Sequence, residues 1–160
     1  MAEKIGIIGM GLMGQAFIKN LLEAGFMIQG YDVDPKRMDQ LKKQGGTPLS
    51  KPADVIIDTK FLIISLPTSQ ITRDVLLSDN SILQAAESGL HICDTTTSHP
   101  DESEDVANYL KSYDIEYLDA AVSGTSKMAA EKDLVVIAGG KKKAFDYCKT
   151  LFSGFARNSY

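Results

Sequence analysis

Ile5-Gly6-Ile7-Ile8-Gly9-Met10-Gly11-Leu12-Met13-Gly14 joins an apolar run to a Gly-x-Gly-x-x-Gly turn, and the helical pattern Gln15-Ala16-Phe17-Ile18-Lys19-Asn20-Leu21-Leu22 follows at once. A strand that runs through three spaced glycines into a helix is the context in which this pattern predicts a dinucleotide-binding turn. Each glycine has its own reason. Gly9 permits the tight turn, Gly11 lets the backbone approach a pyrophosphate, and Gly14 lets the helix pack closely on the strand. The anion would rest on the free N–H groups and positive dipole end of that helix. The turn as a whole, Gly9, Met10, Gly11, Leu12, Met13 and Gly14, is the candidate cofactor cradle. Three glycines in six residues also suit an ordinary flexible loop, and it is the strand before them that argues for the cradle.

After Gly25 comes a short second strand, Met27 to Asp32, which ends on an acid 18 residues beyond Gly14. Strand, helix and strand fill about 30 residues, the length of one βαβ unit. At that separation the Asp32 carboxylate can accept hydrogen bonds from the adenosine ribose hydroxyls of NAD, whereas the 2′-phosphate of NADP would meet a like charge. The nearest arginine, Arg37, lies five residues on and inside the next helix, so NAD is favoured over NADP. The alternative is that Asp32 or Asp34 caps that helix.

Further along, Pro35 starts a helix from Lys36 to Lys43 that Gly45-Gly46 closes, and Ala53 to Asp58 reads as a helical turn. Phe61 to Ser65 is a buried parallel strand, with helices over 70–77 and 81–87 and a strand over 90–94 behind it. Ser98 with Asp101 resembles a capping box, and the acids Asp101, Glu102, Glu104 and Asp105 suit the positive end of the following helix. Strands over 115–118 and 134–138 and a helix from Lys143 to Phe152 complete the pattern. Strands alternating with helices predict an α/β fold of Rossmann type, a doubly wound, mostly parallel sheet with helices on both faces, in one domain over residues 1–160. Ligands in such folds bind beyond the carboxyl ends of the strands. That directs attention to Leu66-Pro67-Thr68-Ser69, Asp94 to Ser98 and Asp119 to Thr125. The first two loops could offer a nicotinamide ribose backbone approach and hydroxyls, and turn formation or helix capping explains the same residues equally well.

The 160 residues are 44% apolar and 24% charged, which describes a globular chain of one-domain size. A net charge of −4 gives no global attraction to nucleic acid or to an anionic membrane. No apolar run approaches the roughly 20 residues of a membrane span. Met1-Ala2-Glu3-Lys4 lacks the features of a secretory leader, so a cytoplasmic location is expected. Cys93 and Cys148, far apart in sequence and without a C-x-x-C, read as reduced and structural, and neither His91 nor His99 has partners at a metal-binding spacing. No metal is expected.

A later stretch, Asp119-Ala120-Ala121-Val122-Ser123-Gly124-Thr125-Ser126-Lys127-Met128-Ala129 with Leu134, resembles the substrate-binding signature of the β-hydroxyacid dehydrogenase family, which includes 3-hydroxyisobutyrate dehydrogenase, tartronate semialdehyde reductase and 6-phosphogluconate dehydrogenase. The glycine turn with Asn20-Leu21 resembles the cofactor signature of the same family, and Leu66-Pro67 and Asp94-Thr95-Thr96-Thr97 stand where members carry Leu-Pro and a Ser-Thr pair. The resemblance implies that Leu66, Pro67 and Thr97 contact the cofactor, with Thr97 on the nicotinamide half. It also implies that Ser123 and Gly124, with Thr125 beside them, hold the carboxylate or hydroxyl of a small substrate. A hydroxyl with exposed backbone N–H groups is a sensible anion cradle. Ala121 stands where proline is usual, Thr125 replaces a second glycine and Lys132 a later one, so substrate contact is the part most altered.

In the family the catalytic lysine lies downstream, on an all-helical C-terminal domain, in a Gly-x-x-Gly-x-Gly-x-x-x-Lys-x-x-x-Asn setting. The 160 residues reach Tyr160 before such a segment, so no catalytic residue is assigned among them. The resemblance therefore implies the cofactor domain of an NAD-dependent oxidoreductase acting on a small 3-hydroxy acid or semialdehyde, inactive by itself, with any homo-oligomer formed through the helical domain. A non-catalytic binding or scaffold module and an imine-reducing relative are the alternatives. Phe152, Phe155 and Tyr160 are expected to mark an apolar docking face.

Overall fold

A computed structural model of the chain describes residues 2–77 and 81–160. Its strands are β1 (Lys4–Ile8), β2 (Met27–Tyr31), β3 (Thr47–Pro48), β4 (Phe61–Ile64), β5 (His91–Asp94), β6 (Glu116–Ser123), β7 (Val135–Gly139) and β8 (Asn158–Ser159). Its helices are α1 (Leu12–Glu23), α2 (Pro35–Lys43), α3 (Ser69–Leu77), α4 (Ser81–Ala85), α5 (Pro100–Lys111), α6 (Ser126–Ala130) and α7 (Lys142–Phe155), with a 3₁₀ turn over Pro52–Ile56. The strands form one sheet in the order β3-β2-β1-β4-β5-β6-β7-β8. All neighbours are parallel except β6 and β7. This is the doubly wound α/β architecture that the alternation of strands and helices predicts.

Both faces of the central strands are buried, which is why they read as nearly unbroken apolar runs. Ile5, Ile7, Phe61, Ile63 and Cys93 join one core beneath α1, α2, α6 and α7. Ile8, Leu62, Ile64 and Ile92 join the other, beneath the 3₁₀ turn, α3, α4 and α5. The chain winds outward from β1 through β2 to β3, then returns to lay β4 on the other side of β1. The switch point therefore falls between β1 and β4, where open α/β sheets leave a crevice. The glycine turn leaves β1 at that point.

Several elements differ from the sequence reading, each for a local reason. The capping box of α5 is His99 with Glu102, one residue later than Ser98 with Asp101, because Pro100 occupies the first helical turn and fixes the helix start. Phe152 and Phe155 do not form a docking face. They are 1% and 0% exposed, and the Phe155 ring lies 4.6 Å from that of Phe17, so α7 uses them to seat itself on α1. Tyr160 alone of the three is exposed. β3, β8 and α6 are too short to leave a periodic signal. Cys93 and Cys148 are both free and buried, yet β5 and α7 bring their sulfurs to 3.6 Å. That contact, with burial, raises the Cys93 thiol pKa well above its ordinary value and keeps it protonated.

The end of α6 shows what the replacement of glycine by Lys132 costs. The amide of Asp133 donates to the Met128 carbonyl at 2.8 Å and that of Lys132 to Ala129 at 3.1 Å, a Schellman closure. The residue at its hinge must be left-handed, and Lys132 sits at φ 61°. Lys132→Gly is expected to stabilise the chain by about 0.5–1 kcal/mol, the left-handed strain relieved less the extra freedom of an unfolded glycine. Thermal unfolding should then shift upward by roughly 1–4 °C.

Candidate functional site

The register of the parallel strands aligns the candidate residues before any side chain is considered. Ile8 pairs with Tyr31 on one side and with Ile64 on the other, Ile64 pairs with Asp94, and Asp94 with Asp119. Gly9, Asp32, Ser65, Thr95 and Ala120 thus follow one row across the carboxyl edge of the sheet. Leu66, Pro67, Thr97 and the Ser123-Gly124-Thr125 segment extend beyond that same edge.

At the switch point a groove of about 420 Å³ opens, its floor formed by Gly9 and Gly11, its walls by Leu66, Pro67, Val33 and Ile71. Two of the three glycines are required by the backbone itself. Gly9 is left-handed at φ 90°, and a Cβ there would lie 2.1 Å from the Ser65 carbonyl oxygen. A Cβ on Gly14 would lie 2.3 Å from the Gly9 carbonyl oxygen, so this glycine lets α1 approach the turn. Gly11 is different: its φ is −67°, and a Cβ would meet nothing nearer than Arg37 Nη1 at 4.0 Å. Neither backbone strain nor packing requires glycine there. What its missing side chain leaves is open space over the start of α1, where Gly11 is an N-cap with no side-chain hydrogen bond. The amides of Leu12 and Met13 belong to the unfilled N–H groups of that helix start. The Met10 side chain, by contrast, is fully buried, and its amide donates to Asp32 Oδ2 at 2.6 Å.

Asp32 is not the free acceptor that its place at the end of β2 predicts. Besides Met10, the amide of Asp34 donates to its Oδ1 at 2.9 Å. Arg37 lies inside the next helix as expected, yet it reaches back to 3.2 Å from Oδ2. The signal was present in Asp34-Pro35: Asp34 caps α2, accepting from Lys36, and Pro35 starts it, so Arg37 falls in the first turn, facing the strand end. The residue held responsible for excluding a 2′-phosphate thus has a cation beside it.

On the far side of the groove, the Leu66 amide donates to Thr96 Oγ1 at 3.1 Å, and the Thr95 hydroxyl donates to the Ile64 carbonyl at 2.8 Å. These two threonines tie the loops after β4 and β5 together. Thr97, the third, is exposed beyond them. Asp94 anchors the same loop from below, accepting from the Thr96 amide at 2.9 Å and from the Tyr117 hydroxyl at 2.8 Å. Burial raises its carboxyl pKa above the ordinary value, against the lowering effect of those bonds.

Ser123 and Gly124 are exposed at the end of β6. Gly124 has φ 142°, and a Cβ there would strike Leu134 at 2.5 Å. Thr125 causes no strain in place of the second glycine. Its φ is −94°, and its hydroxyl caps α6 by accepting from the Met128 amide at 3.3 Å. The segment is held against α1 by Asn20, whose side chain donates to the Ala129 carbonyl at 2.7 Å. Among the described residues no group of three or more His, Cys, Asp or Glu is placed to hold a metal, and no helix is long and apolar enough to cross a membrane.

Residues 4–160 match the model of the NAD-binding domain of 6-phosphogluconate dehydrogenase. The chain belongs to this family of NAD-binding domains. Its relatives include the mitochondrial 3-hydroxyisobutyrate dehydrogenase of Rattus norvegicus, 31% identical over 160 residues, covering 99% of this chain and 48% of the relative. The 3-sulfolactaldehyde reductase of Escherichia coli K12 is 29% identical over 136 residues, covering 85% of this chain and 46% of the relative. Mycobacterium tuberculosis 3-hydroxyisobutyrate dehydrogenase, solved with L-serine, superposes with a TM-score of 0.94 at 24% identity, covering all of this chain and 54% of the other, and shares its fold. This NAD-binding domain spans about half the length of the curated relatives that it matches.

Proposed function

We propose that the groove at the switch point holds NAD, and that the domain is the cofactor half of an oxidoreductase acting on a small 3-hydroxy acid or semialdehyde. The observation that carries the reading is the contrast among the three glycines: at Gly9 and Gly14 a side chain has no room, whereas at Gly11 it has room that only a ligand would need. A diphosphate fits there, on the Leu12 and Met13 amides at the positive end of α1. The adenosine then lies toward Val33 and Ile71, and the nicotinamide half toward Leu66 and Pro67; Thr97, exposed on the loop after β5, is proposed to meet the nicotinamide half from outside the groove lining. NAD, when bound, supplies the hydride acceptor or donor. Ser123 and Gly124 offer a hydroxyl and an amide to the substrate's carboxylate or hydroxyl. Membership of a family with hydroxy-acid and aldehyde substrates in its relatives' names supports the substrate class.

No lysine in these 160 residues stands in the setting described for the family's proton donor, so the reading gives them binding and positioning but not proton transfer. Calorimetric titration of the chain with NAD tests it. Saturable binding of one NAD per chain is expected, with no reduction of NAD when small 3-hydroxy acids are added. Absence of binding at millimolar NAD would overturn the assignment, and turnover would overturn the claim that the chain is inactive alone.

A further inference from the structure

We infer that Asp94 is a positioning residue for the nicotinamide end of the groove: through the Thr96 hydroxyl it fixes the Leu66 amide, and with it the Leu66-Pro67 wall. The inference rests on the dinucleotide reading above and concerns one end of the same groove.

A carboxylate is costly in this place. Asp94 is 1% exposed, and among the described residues it forms no ion pair. Three donors hold its charge: the Thr96 amide at 2.9 Å, the Tyr117 hydroxyl at 2.8 Å and the Thr96 hydroxyl. A neutral acceptor would serve the amide and Tyr117 at a lower desolvation cost, so the negative charge needs a reason of its own.

The Thr96 hydroxyl supplies that reason. A hydroxyl has one hydrogen and two lone pairs, and the hydrogen turns to the strongest acceptor within reach. Ionised Asp94 draws it inward. The lone pairs are then left for the Leu66 amide at 3.1 Å and the Thr72 hydroxyl at 3.2 Å. Thr72 and Thr96 are 2% and 3% exposed, so water does not replace either bond. Ser65 is still paired to the Ile8 carbonyl of the sheet, which makes Leu66 the first residue beyond it. Leu66 and Pro67 line the groove, and the fixed amide sets where they stand. A protonated Asp94 carries a donor where Thr96 needs an acceptor, and the chain of bonds to Leu66 loses its direction. Protons have a route of their own: a cavity of about 310 Å³ between α3 and α5 reaches Asp94 and shares no lining residue with the groove.

The other titratable or charged groups around Asp94 are Tyr117 and Asp119 on β6, Arg73 on α3, Glu102 and Asp105 on α5, and Cys93 beside it on β5. Burial raises the pKa of Tyr117 and keeps it a donor, while the Ser69 hydroxyl and the His99 amide lower that of Glu102. Burial, with the charge of Asp119, holds the Asp94 carboxyl above its ordinary range. The nicotinamide contact is therefore complete above that pKa and lost as the pH falls through it.

The test is equilibrium binding of NAD and of ADP-ribose, which keeps the adenosine and diphosphate and lacks the nicotinamide ring, to the wild-type chain, Asp94→Asn, Thr96→Val and Thr96→Ser. Each is measured from neutral pH down into the carboxylate range. Wild-type affinity for NAD should fall about tenfold in acid, the size of one charge-assisted hydrogen bond, while that for ADP-ribose stays within about threefold. Asp94→Asn should bind NAD about tenfold more weakly at neutral pH, with a ratio of the two affinities that no longer changes with pH. Thr96→Val keeps the charge but breaks the chain, and should lose NAD to the same extent, whereas Thr96→Ser restores the hydroxyl and the affinity. The inference is overturned if the wild-type ratio is constant with pH, or if Asp94→Asn and Thr96→Val weaken both ligands alike, as a merely structural role would. Binding of neither ligand by the wild type would overturn the dinucleotide reading itself.

Discussion

Gly11→Asp is expected to abolish NAD binding by the 160-residue chain while leaving its unfolding temperature unchanged or slightly raised. The side chain fits: the nearest atom to a Cβ at Gly11 is 4.0 Å away, and the backbone is already at φ −67° and ψ −162°, which any residue adopts. Asp is moreover a preferred N-cap, and in that position gains a few tenths of a kcal/mol over Gly. The same carboxylate would stand where the diphosphate is proposed to rest. Two unit charges about 4 Å apart repel by roughly 4 kcal/mol at the effective dielectric of a protein surface, about a thousandfold in affinity. Parallel calorimetry and thermal unfolding decide the matter. A variant that still binds NAD within tenfold of the wild type would place the diphosphate elsewhere, and one that fails to fold would show that Gly11 is structural after all.

That experiment also marks how far the sequence could be read. The turning and packing roles of Gly9 and Gly14 were legible because they are local: spacing along the chain determines which glycine turns and which packs. The row of loops at the carboxyl edge was legible too, because parallel strands place their ends on one edge whatever the side chains are. Arg37 was misjudged because its contact with Asp32 depends on where α2 begins. A helix started by Pro35 folds the fifth residue back toward the strand, which counting residues from Asp32 does not show. Phe152 and Phe155 were misread for a related reason. Helical periodicity shows that α7 has an apolar face, but not that α1 and Phe17 lie across from it. The antiparallel pairing of β6 with β7 left no signal either, since direction in a sheet is set by a connection that passes through five residues of α6. That Thr125 can stand in for a glycine without strain was not legible either, because it depends on the backbone being extended there.

Gly9→Ala is expected to act in the reverse way to Gly11→Asp, lowering stability by about 3–5 kcal/mol and the unfolding temperature by roughly 10 °C or more. Two costs add. Alanine at φ 90° bears left-handed strain of about 1–2 kcal/mol. Its Cβ would also lie 2.1 Å from the Ser65 carbonyl oxygen and 2.9 Å from a Leu66 methyl. Neither β1 nor β4 can retreat without breaking the bond from the Ser65 amide to the Ile8 carbonyl, 2.9 Å long, that closes the sheet at the switch point. Gly25→Ala separates the two costs, because Gly25 has the same φ of 90° with nothing within 4 Å of a Cβ. It should lose only the strain, about 1–2 kcal/mol. Urea denaturation of both variants with the wild type measures the difference, which is the steric term. Equal losses would mean that the turn yields to a methyl group and that β1 and β4 are not closely packed at Gly9. A large difference would show that glycines two residues apart in one turn serve separate ends, Gly9 the joining of two strands and Gly11 the space above a helix.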